Sequence, residues 1–216
     1  MSKIFKQGIT EFGLPKFSRI IRHKRDVILI LLETMKLFLT LGTETIESSN
    51  SVYIKVDSIS RAFYEFDNKI FSIHFPFTII DNEDSTLWIK ESNSEIEITN
   101  QIVSSLIGYF ESHDSYTYMF DDIFNVIDDI EKEVGISENK LQLVLKKLIS
   151  FEIGYFRYDV DEKHFVKGVH PLHHYDVNYS NTATYKLGLE KAQSVEQIFD
   201  MLDRNTNCHS LVKNEL

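Results

Sequence analysis

The residues best suited to chemistry lie in one short segment, residues 170–189 (HPLHHYDVNYSNTATYKLGL). After Pro171 the pattern alternates as on a β-strand, so that His174, Asp176 and Asn178 share one face. An imidazole, a carboxylate and an amide on one face could move a proton and stabilise an oxyanion or phosphorane, as in small metal-independent ribonucleases. The same groups could equally form a hydrogen-bonded polar patch that stabilises the fold.

Metal binding is the second chemistry that this segment suggests. His170, His173, His174 and Asp176 offer imidazole and carboxylate ligands that suit zinc or another divalent ion. Strand alternation, however, places His173 on the face opposite His174 and Asp176, and no second ligand cluster is recognisable. We therefore expect no metal. We also expect no cofactor, because the sequence lacks a glycine-rich phosphate loop, a dinucleotide fingerprint, a nucleophile elbow and a protein-kinase signature.

The elements that must position these residues can be predicted from hydrophobic periodicity. Apolar residues at three- and four-residue steps predict one long helix over Lys16–Leu41, with Pro15 before it and Gly42 after it. From Ser51 the period changes to two, which predicts an antiparallel sheet. The expected strands are Val52–Val56, Arg61–Phe66, Lys69–Phe77 and Thr86–Lys90. A helix over Ile98–Phe110 is expected to follow them. Near the end of the chain we expect a return strand over Thr184–Leu187 and a short helix capped by Ser194.

The middle of the chain resembles a winged helix. A helix over Phe120–Val134, a short turn and a second helix would be followed by strands Tyr155–Asp159 and His164–Gly168, in the winged-helix order. The resemblance implies that the second helix would present Lys140, Lys146 and Lys147 to a DNA duplex. The first helix is acidic, which would repel phosphate and favours docking to a protein. The acidic face that would dock comprises Asp121, Asp122, Asp128 and Asp129.

The charge of the chain is uneven. The net charge is −10, yet residues 1–25 carry seven lysines and arginines and a single acidic residue. This basic segment could hold a phosphate backbone or dock on an acidic protein, or its side chains could simply solvate the start of a helix. The candidate binding residues there are Arg19, Arg22, Lys24 and Arg25.

The remaining composition indicates the compartment. A single cysteine, Cys208, excludes a disulfide within the chain and is typical of a reducing cytoplasm. The beginning of the sequence has no apolar signal core, and the apolar run Val27–Leu41 is short for a membrane span and carries Glu33 and Lys36. We expect a cytoplasmic α+β protein that does not cross a membrane. Its units would be residues 1–112 and residues 113–216, or one continuous domain.

The last third of the sequence resembles an uncharacterised family of bacterial proteins of similar length from mobile and defence-associated gene neighbourhoods. The resemblance rests on His170, Pro171, Leu172 and His174, followed by the return strand and the short helix. It implies an accessory protein and identifies no catalytic residue.

Three functional hypotheses follow. The leading one is a non-catalytic interaction subunit of a bacterial multi-protein complex, associated with an ATPase or nuclease in defence against phage or plasmids. The first alternative is a ribonuclease-like toxin that uses His174, Asp176 and Asn178. The second is a winged-helix DNA-binding regulator. Protein subunits are the expected partners, with nucleic acid and a second copy of the chain left open.

Overall fold

The fold is α+β, with helices packed on antiparallel sheets. The computed structural model describes residues 3–56, 60–91, 96–112, 127, 135, 138–179 and 186–206. The strands in these residues are β1 (Lys3–Gly8), β2 (Ser51–Val56), β3 (Arg61–Phe66), β4 (Lys69–His74), β5 (Thr78–Asp81), β6 (Leu87–Glu91), β7 (Ile96–Ile98), β8 (Phe156–Val160), β9 (His173–Asp176) and β10 (Lys186–Leu189). The helices are α1 (Leu14–Phe17), α2 (Lys24–Leu41), α3 (Asn100–Ser112), α4 (Glu138–Ser150) and α5 (Val195–Met201).

A seven-stranded sheet is the central element. Its strand order is β1-β2-β3-β4-β8-β9-β10, and each neighbouring pair is antiparallel. Strand β4 pairs with β8, with Ser72 opposite Phe156. Strands from both sides of the predicted boundary at residue 113 therefore belong to one sheet. Strands β5, β6 and β7 form a second, smaller sheet.

Helix α2 fills the main core on one face of the large sheet. Every residue from Val27 to Met35 is buried, which is expected of a helix that is apolar on all sides. The Thr34 hydroxyl lies 2.7 Å from the Tyr64 hydroxyl, so the helix and β3 share a buried hydrogen bond. The one buried carboxylate of this run, Glu33, accepts from Lys16 Nζ at 2.9 Å and is thus charge-compensated.

A second apolar cluster lies on the other face of the same sheet. Strand alternation assigns Tyr53 and Phe63 to this cluster, while their neighbours face α2. Helix α5 covers the cluster with Ile198 and Phe199, and the Phe199 ring lies edge-on to Phe63 at 4.5 Å between centroids. Ser194 Oγ accepts from the Gln197 N–H at the start of α5, which confirms the predicted cap.

The predicted helix over Lys16–Leu41 is wrong in its first third. Helix α1 ends at Phe17, residues 18–23 are not helical, and α2 begins at Lys24. The reason is local capping: Asp26 Oδ2 accepts from the backbone N–H groups of Arg22 and His23 at 2.8 and 2.9 Å. These bonds stabilise a helix start at this point, where apolar periodicity alone would extend the helix backwards.

The predicted wing is also wrong. Residues 164–168 form no strand and instead belong to a tight loop closed by a single bridge between Val166 and His170, with Gly168 at φ +79°. Strand β8 pairs with β4 on one side and β9 on the other, so neither of its edges remains for a wing strand. The second helix of the motif is present as α4. The predicted first helix, with its acidic face, lies outside the described residues apart from Ile127, which is helical and buried.

Candidate functional site

The predicted hairpin in residues 170–189 is confirmed at its two strands. Strands β9 and β10 pair with Asp176 opposite Lys186 and His174 opposite Gly188. The described return strand covers Lys186–Leu189, and residues 180–185, which include the first two residues of the predicted strand, lie outside the described part of the chain. His174 and Asp176 share a face as the alternation predicted, whereas Asn178 lies beyond the end of β9 and is exposed.

Strand β8 completes a polar cluster that the sequence did not predict as a unit. Its Arg157 is opposite Asp176, and its Asp159 is opposite His174. We call these residues, together with Lys186 of β10, the polar cluster (Arg157, Asp159, His174, Asp176 and Lys186). Three adjacent strands thus bring five charged or titratable side chains to one face of the sheet.

His174 is the most deeply buried member of the polar cluster, with no exposed surface. Its Nδ1 lies 3.0 Å from the Pro171 carbonyl oxygen, and its Nε2 lies 2.7 Å from Lys186 Nζ. Because a carbonyl only accepts, Nδ1 carries the proton and Nε2 accepts from the lysine ammonium. Both ring nitrogens are therefore engaged within the protein, which is the arrangement of a structural histidine.

The two carboxylates of the polar cluster are held by two cations. Arg157 Nε donates to Asp159 Oδ2 at 2.7 Å, and its Nη2 donates to Asp176 Oδ2. Lys186 Nζ lies 3.2 Å from Asp176 Oδ1. Burial raises the pKa of Asp159, as does the nearby charge of Asp176, while Arg157 opposes the change. Paired charges of this kind tolerate burial because each desolvated group keeps a partner.

The polar cluster also has the composition of a divalent-metal site. Asp159, His174 and Asp176 offer ligand atoms within 4.8 Å of one another. Lys186 nevertheless donates to the same His174 nitrogen that a metal would need, and Arg157 bonds both carboxylates. A metal ion would have to displace the lysine, so the geometry fits a closed ionic network better than a coordination sphere.

Gly188 allows the hairpin to close over His174. It lies directly opposite His174 in the strand register. A Cβ built on Gly188 would lie 2.8 Å from Cγ of Pro171. The carbonyl of Pro171 accepts the hydrogen bond from His174 Nδ1. Only glycine leaves room for Pro171 at this point, and Pro171 in turn orients the imidazole.

The basic residues predicted in the N-terminal segment are mostly used within the fold. Lys24 Nζ donates to the Phe151 carbonyl at 2.7 Å and lies 4.9 Å from the centre of its ring, and burial lowers the pKa of Lys24. Arg25 donates to the carbonyls of Phe110 and Glu111, the latter at 3.0 Å. These contacts tie the start of α2 to the ends of α3 and α4. Arg19 Nε donates to the Lys16 carbonyl at 3.0 Å.

The lysines of α4 differ in their surroundings. Lys140 and Lys146 are exposed, whereas Lys147 is half-buried and lines a cavity of about 520 Å³. Arg61 and His74 line the same cavity. Helical periodicity groups Lys147 with its neighbours in α4 and does not single out Arg61, because the pairing of β3 with β4 and the approach of α4 are tertiary features.

Comparisons with protein-family models, with curated proteins and with solved structures found no match to this chain. None of the helices in the described residues is long and apolar enough to cross a bilayer.

Proposed function

We propose that this protein is a non-catalytic interaction subunit of a multi-protein complex and that residues 161–172 are its main contact. This segment, which we call the apolar loop, connects β8 to β9. The observation that carries the proposal is its exposed apolar surface: Phe165, Val166 and Val169 are 50%, 53% and 80% exposed. Neighbouring exposed apolar side chains are typical of interaction sites, whereas single scattered ones are ordinary on protein surfaces.

The apolar loop is held in one conformation by its own hydrogen bonds. Val166 and His170 exchange backbone bonds of 3.0 and 2.8 Å, and the Asp161 N–H donates to the Leu172 carbonyl at 2.9 Å. The Asp161 carboxylate accepts from the His164 N–H at 3.1 Å, and His164 Nδ1 lies 3.0 Å from the same carboxylate. A preordered loop loses little conformational entropy when a partner binds, which favours a contact role.

The charge of the apolar loop indicates the chemistry of the partner. Lys163 and Lys167 lie beside the exposed apolar side chains and are themselves exposed, while the two acidic residues of the loop, Asp161 and Glu162, lie at its start and the Asp161 carboxylate is bonded to His164. The complementary surface is an apolar pocket with an acidic rim on another protein. The resemblance of the last third of the chain to defence-associated bacterial proteins leads us to propose an ATPase or nuclease of such a system as the partner.

The ribonuclease-like alternative has weaker support. It requires His174 to exchange a proton with substrate, yet this side chain is fully buried and bonded at both nitrogens. The DNA-binding alternative depends on α4 and a wing, and residues 164–168 form a loop rather than the wing strand.

The test is a pull-down from the native host at moderate salt, read by mass spectrometry and by absorbance for nucleic acid. We expect a stoichiometric protein partner that Phe165→Ser with Val169→Ser releases. The matched control is Phe12→Ser with Leu143→Ser, which changes two exposed apolar residues elsewhere and should retain the partner. Charge reversal by Lys167→Glu should weaken retention because it opposes the acidic rim.

Three outcomes would contradict the proposal. Recovery of the protein alone would exclude a stable partner, and equal loss in the control variant would exclude the apolar loop as the contact. Binding of the wild-type loop to anionic lipid vesicles, with no protein partner, would assign the exposed apolar tip to a membrane surface instead. Thermal unfolding of each variant establishes that the comparison involves folded proteins.

A further inference from the structure

We propose that the cavity between β3, β4 and the end of α4 binds the phosphate group of a small phosphate monoester, through Arg61, Lys147 and His74. The two strand residues are directly opposite each other in the β3–β4 register. Lys147 reaches the same cavity from the last turn of α4. This site is separate from the polar cluster and from the apolar loop.

Arg61 is a half-buried cation whose hydrogen-bond partners are neutral. Its Nε donates to Ser72 Oγ at 2.9 Å, and its Nη2 donates to the Gly154 carbonyl. Ser72 is fully buried, and no carboxylate in the described residues forms an ion pair with Arg61. Burial lowers the pKa of Arg61 to about 10, which still leaves it charged at neutral pH. A partly desolvated guanidinium whose hydrogen-bond partners are neutral is well suited to bind an anion bidentately.

Lys147 and His74 add two further groups that an anion would contact. Lys147 forms no ion pair within the described parts of the chain. His74 Nδ1 lies 3.2 Å from the Glu152 carbonyl oxygen, so Nδ1–H donates there and Nε2 is outside that bond. Burial lowers the pKa of His74, the hydrogen bond to the Glu152 carbonyl opposes this change, and the charges of Arg61 and Lys147 lower the pKa further. Glu152 also lines the cavity and opposes an anion, but it is exposed to solvent.

The size and charge of the cavity define the ligand class. Its volume of about 520 Å³ falls within the range of small-molecule sites, roughly 300–1,000 Å³, so it has room for an organic group beyond the phosphate itself. Ser60 and Thr78 offer hydroxyls at the wall, next to Pro76. Two fixed cations and a titratable imidazole suit a dianion, whereas a monocarboxylate would leave a cation unneutralised.

The experiment titrates the folded full-length protein with glycerol 3-phosphate and with inorganic phosphate, read by calorimetry and by backbone amide NMR shifts. We expect shifts at β3, β4 and residues 152–154. Lys147→Ala should weaken binding roughly three- to tenfold because it removes one charge-assisted contact. Lys146→Ala is the matched control. It removes an exposed lysine at the preceding position of the same helix and should leave binding unchanged.

The role of His74 is tested separately with sulfate, which stays dianionic across the pH range in which an imidazole titrates. Sulfate affinity should rise as the pH falls below 6.5, the ordinary pKa of histidine, and His74→Gln should remove this dependence. The other charged groups that face the cavity are Arg61, Lys147 and Glu152, and His74→Gln separates the contribution of the imidazole from theirs. Sulfate binding that is independent of pH would overturn the role of His74.

Other results would overturn the site itself. One is the absence of amide shifts at the cavity, and another is equal weakening of phosphate binding by Lys146→Ala and Lys147→Ala. A third is binding of succinate as tight as that of glycerol 3-phosphate. Arg61→Gln should weaken binding more than Lys147→Ala, but it also removes two internal hydrogen bonds. The decision therefore rests on Lys147→Ala, whose stability is checked by its melting temperature.

Discussion

At the scale of single residues, the same histidine supports two different interpretations until its surroundings are known. In the sequence, His174 beside Asp176 suggests acid–base chemistry. In the structure, the ring nitrogens of His174 are occupied by Pro171 and Lys186, and the side chain is fully buried. Burial with complete hydrogen bonding is what a polar group in a core requires, and it leaves no lone pair for a substrate.

His174→Ala tests this interpretation. We expect the variant to lose about 2–3 kcal/mol of the free energy of unfolding, because it leaves a cavity in place of a fully buried side chain and removes one acceptor of the half-buried Lys186 ammonium. Urea unfolding measures the change. His164→Ala is the control, since that side chain is 62% exposed and should cost little. An unchanged stability for His174→Ala would contradict the structural role, and loss of an activity at unchanged stability would support a catalytic residue.

At the scale of elements, local hydrogen bonds and close packing determine where helices and strands begin and end. Asp26 explains why α2 begins at Lys24, because its carboxylate accepts hydrogen bonds from the backbone N–H groups of Arg22 and His23. Gly188 explains how β10 can lie beside β9, because any side chain there would meet Pro171. Neither feature changes the hydrophobic pattern, so periodicity alone does not reveal it.

Gly188→Ala should therefore destabilise the hairpin. The added methyl group would overlap Pro171 and displace the carbonyl that orients His174, at an expected cost of about 1–3 kcal/mol in the free energy of unfolding. Gly108→Ala in α3 is the matched control: nothing lies within 4 Å of its added Cβ, and alanine should stabilise the helix by about 0.5–1 kcal/mol. Equal effects from the two substitutions in denaturant titrations would refute the close contact with Pro171.

At the scale of the whole molecule, one sheet connects the two halves of the chain. Strand β8 from the second half lies between β4 and β9, and the helices α2 and α4 are linked by the bond from Lys24 to the Phe151 carbonyl. The candidate sites depend on this connection. Arg61 and His74 come from the first half, while Lys147 comes from the second.

A shared sheet predicts a single cooperative unfolding transition. Trp88 fluorescence reports on the small sheet of the first half, and far-UV circular dichroism reports on the whole chain. We expect the two probes to give coincident denaturant curves. Two separate transitions would contradict this prediction and would support independent units with a boundary near residue 113.

Features that depend on neighbouring residues can be predicted from the amino-acid sequence alone. Periods of two and of three to four residues identified most strands, the core of α2, the helices α3 and α4, and the shared face of His174 and Asp176. Ser194 identified the start of α5, because a helix cap acts over three residues. These features are local, and a local pattern is visible in a single sequence.

Which elements contact each other is visible only in the folded protein. It placed Arg157 and Asp159 against His174, brought Lys147 to Arg61 and His74, and paired β8 with β4 rather than with a wing. Strand order and helix packing depend on contacts between residues far apart in the chain, and many pairings satisfy the same alternation of apolar and polar side chains. The chemical meaning of a side chain depends on those distant partners, which is why the same residues suggested catalysis in the sequence and a closed ionic network in the folded protein.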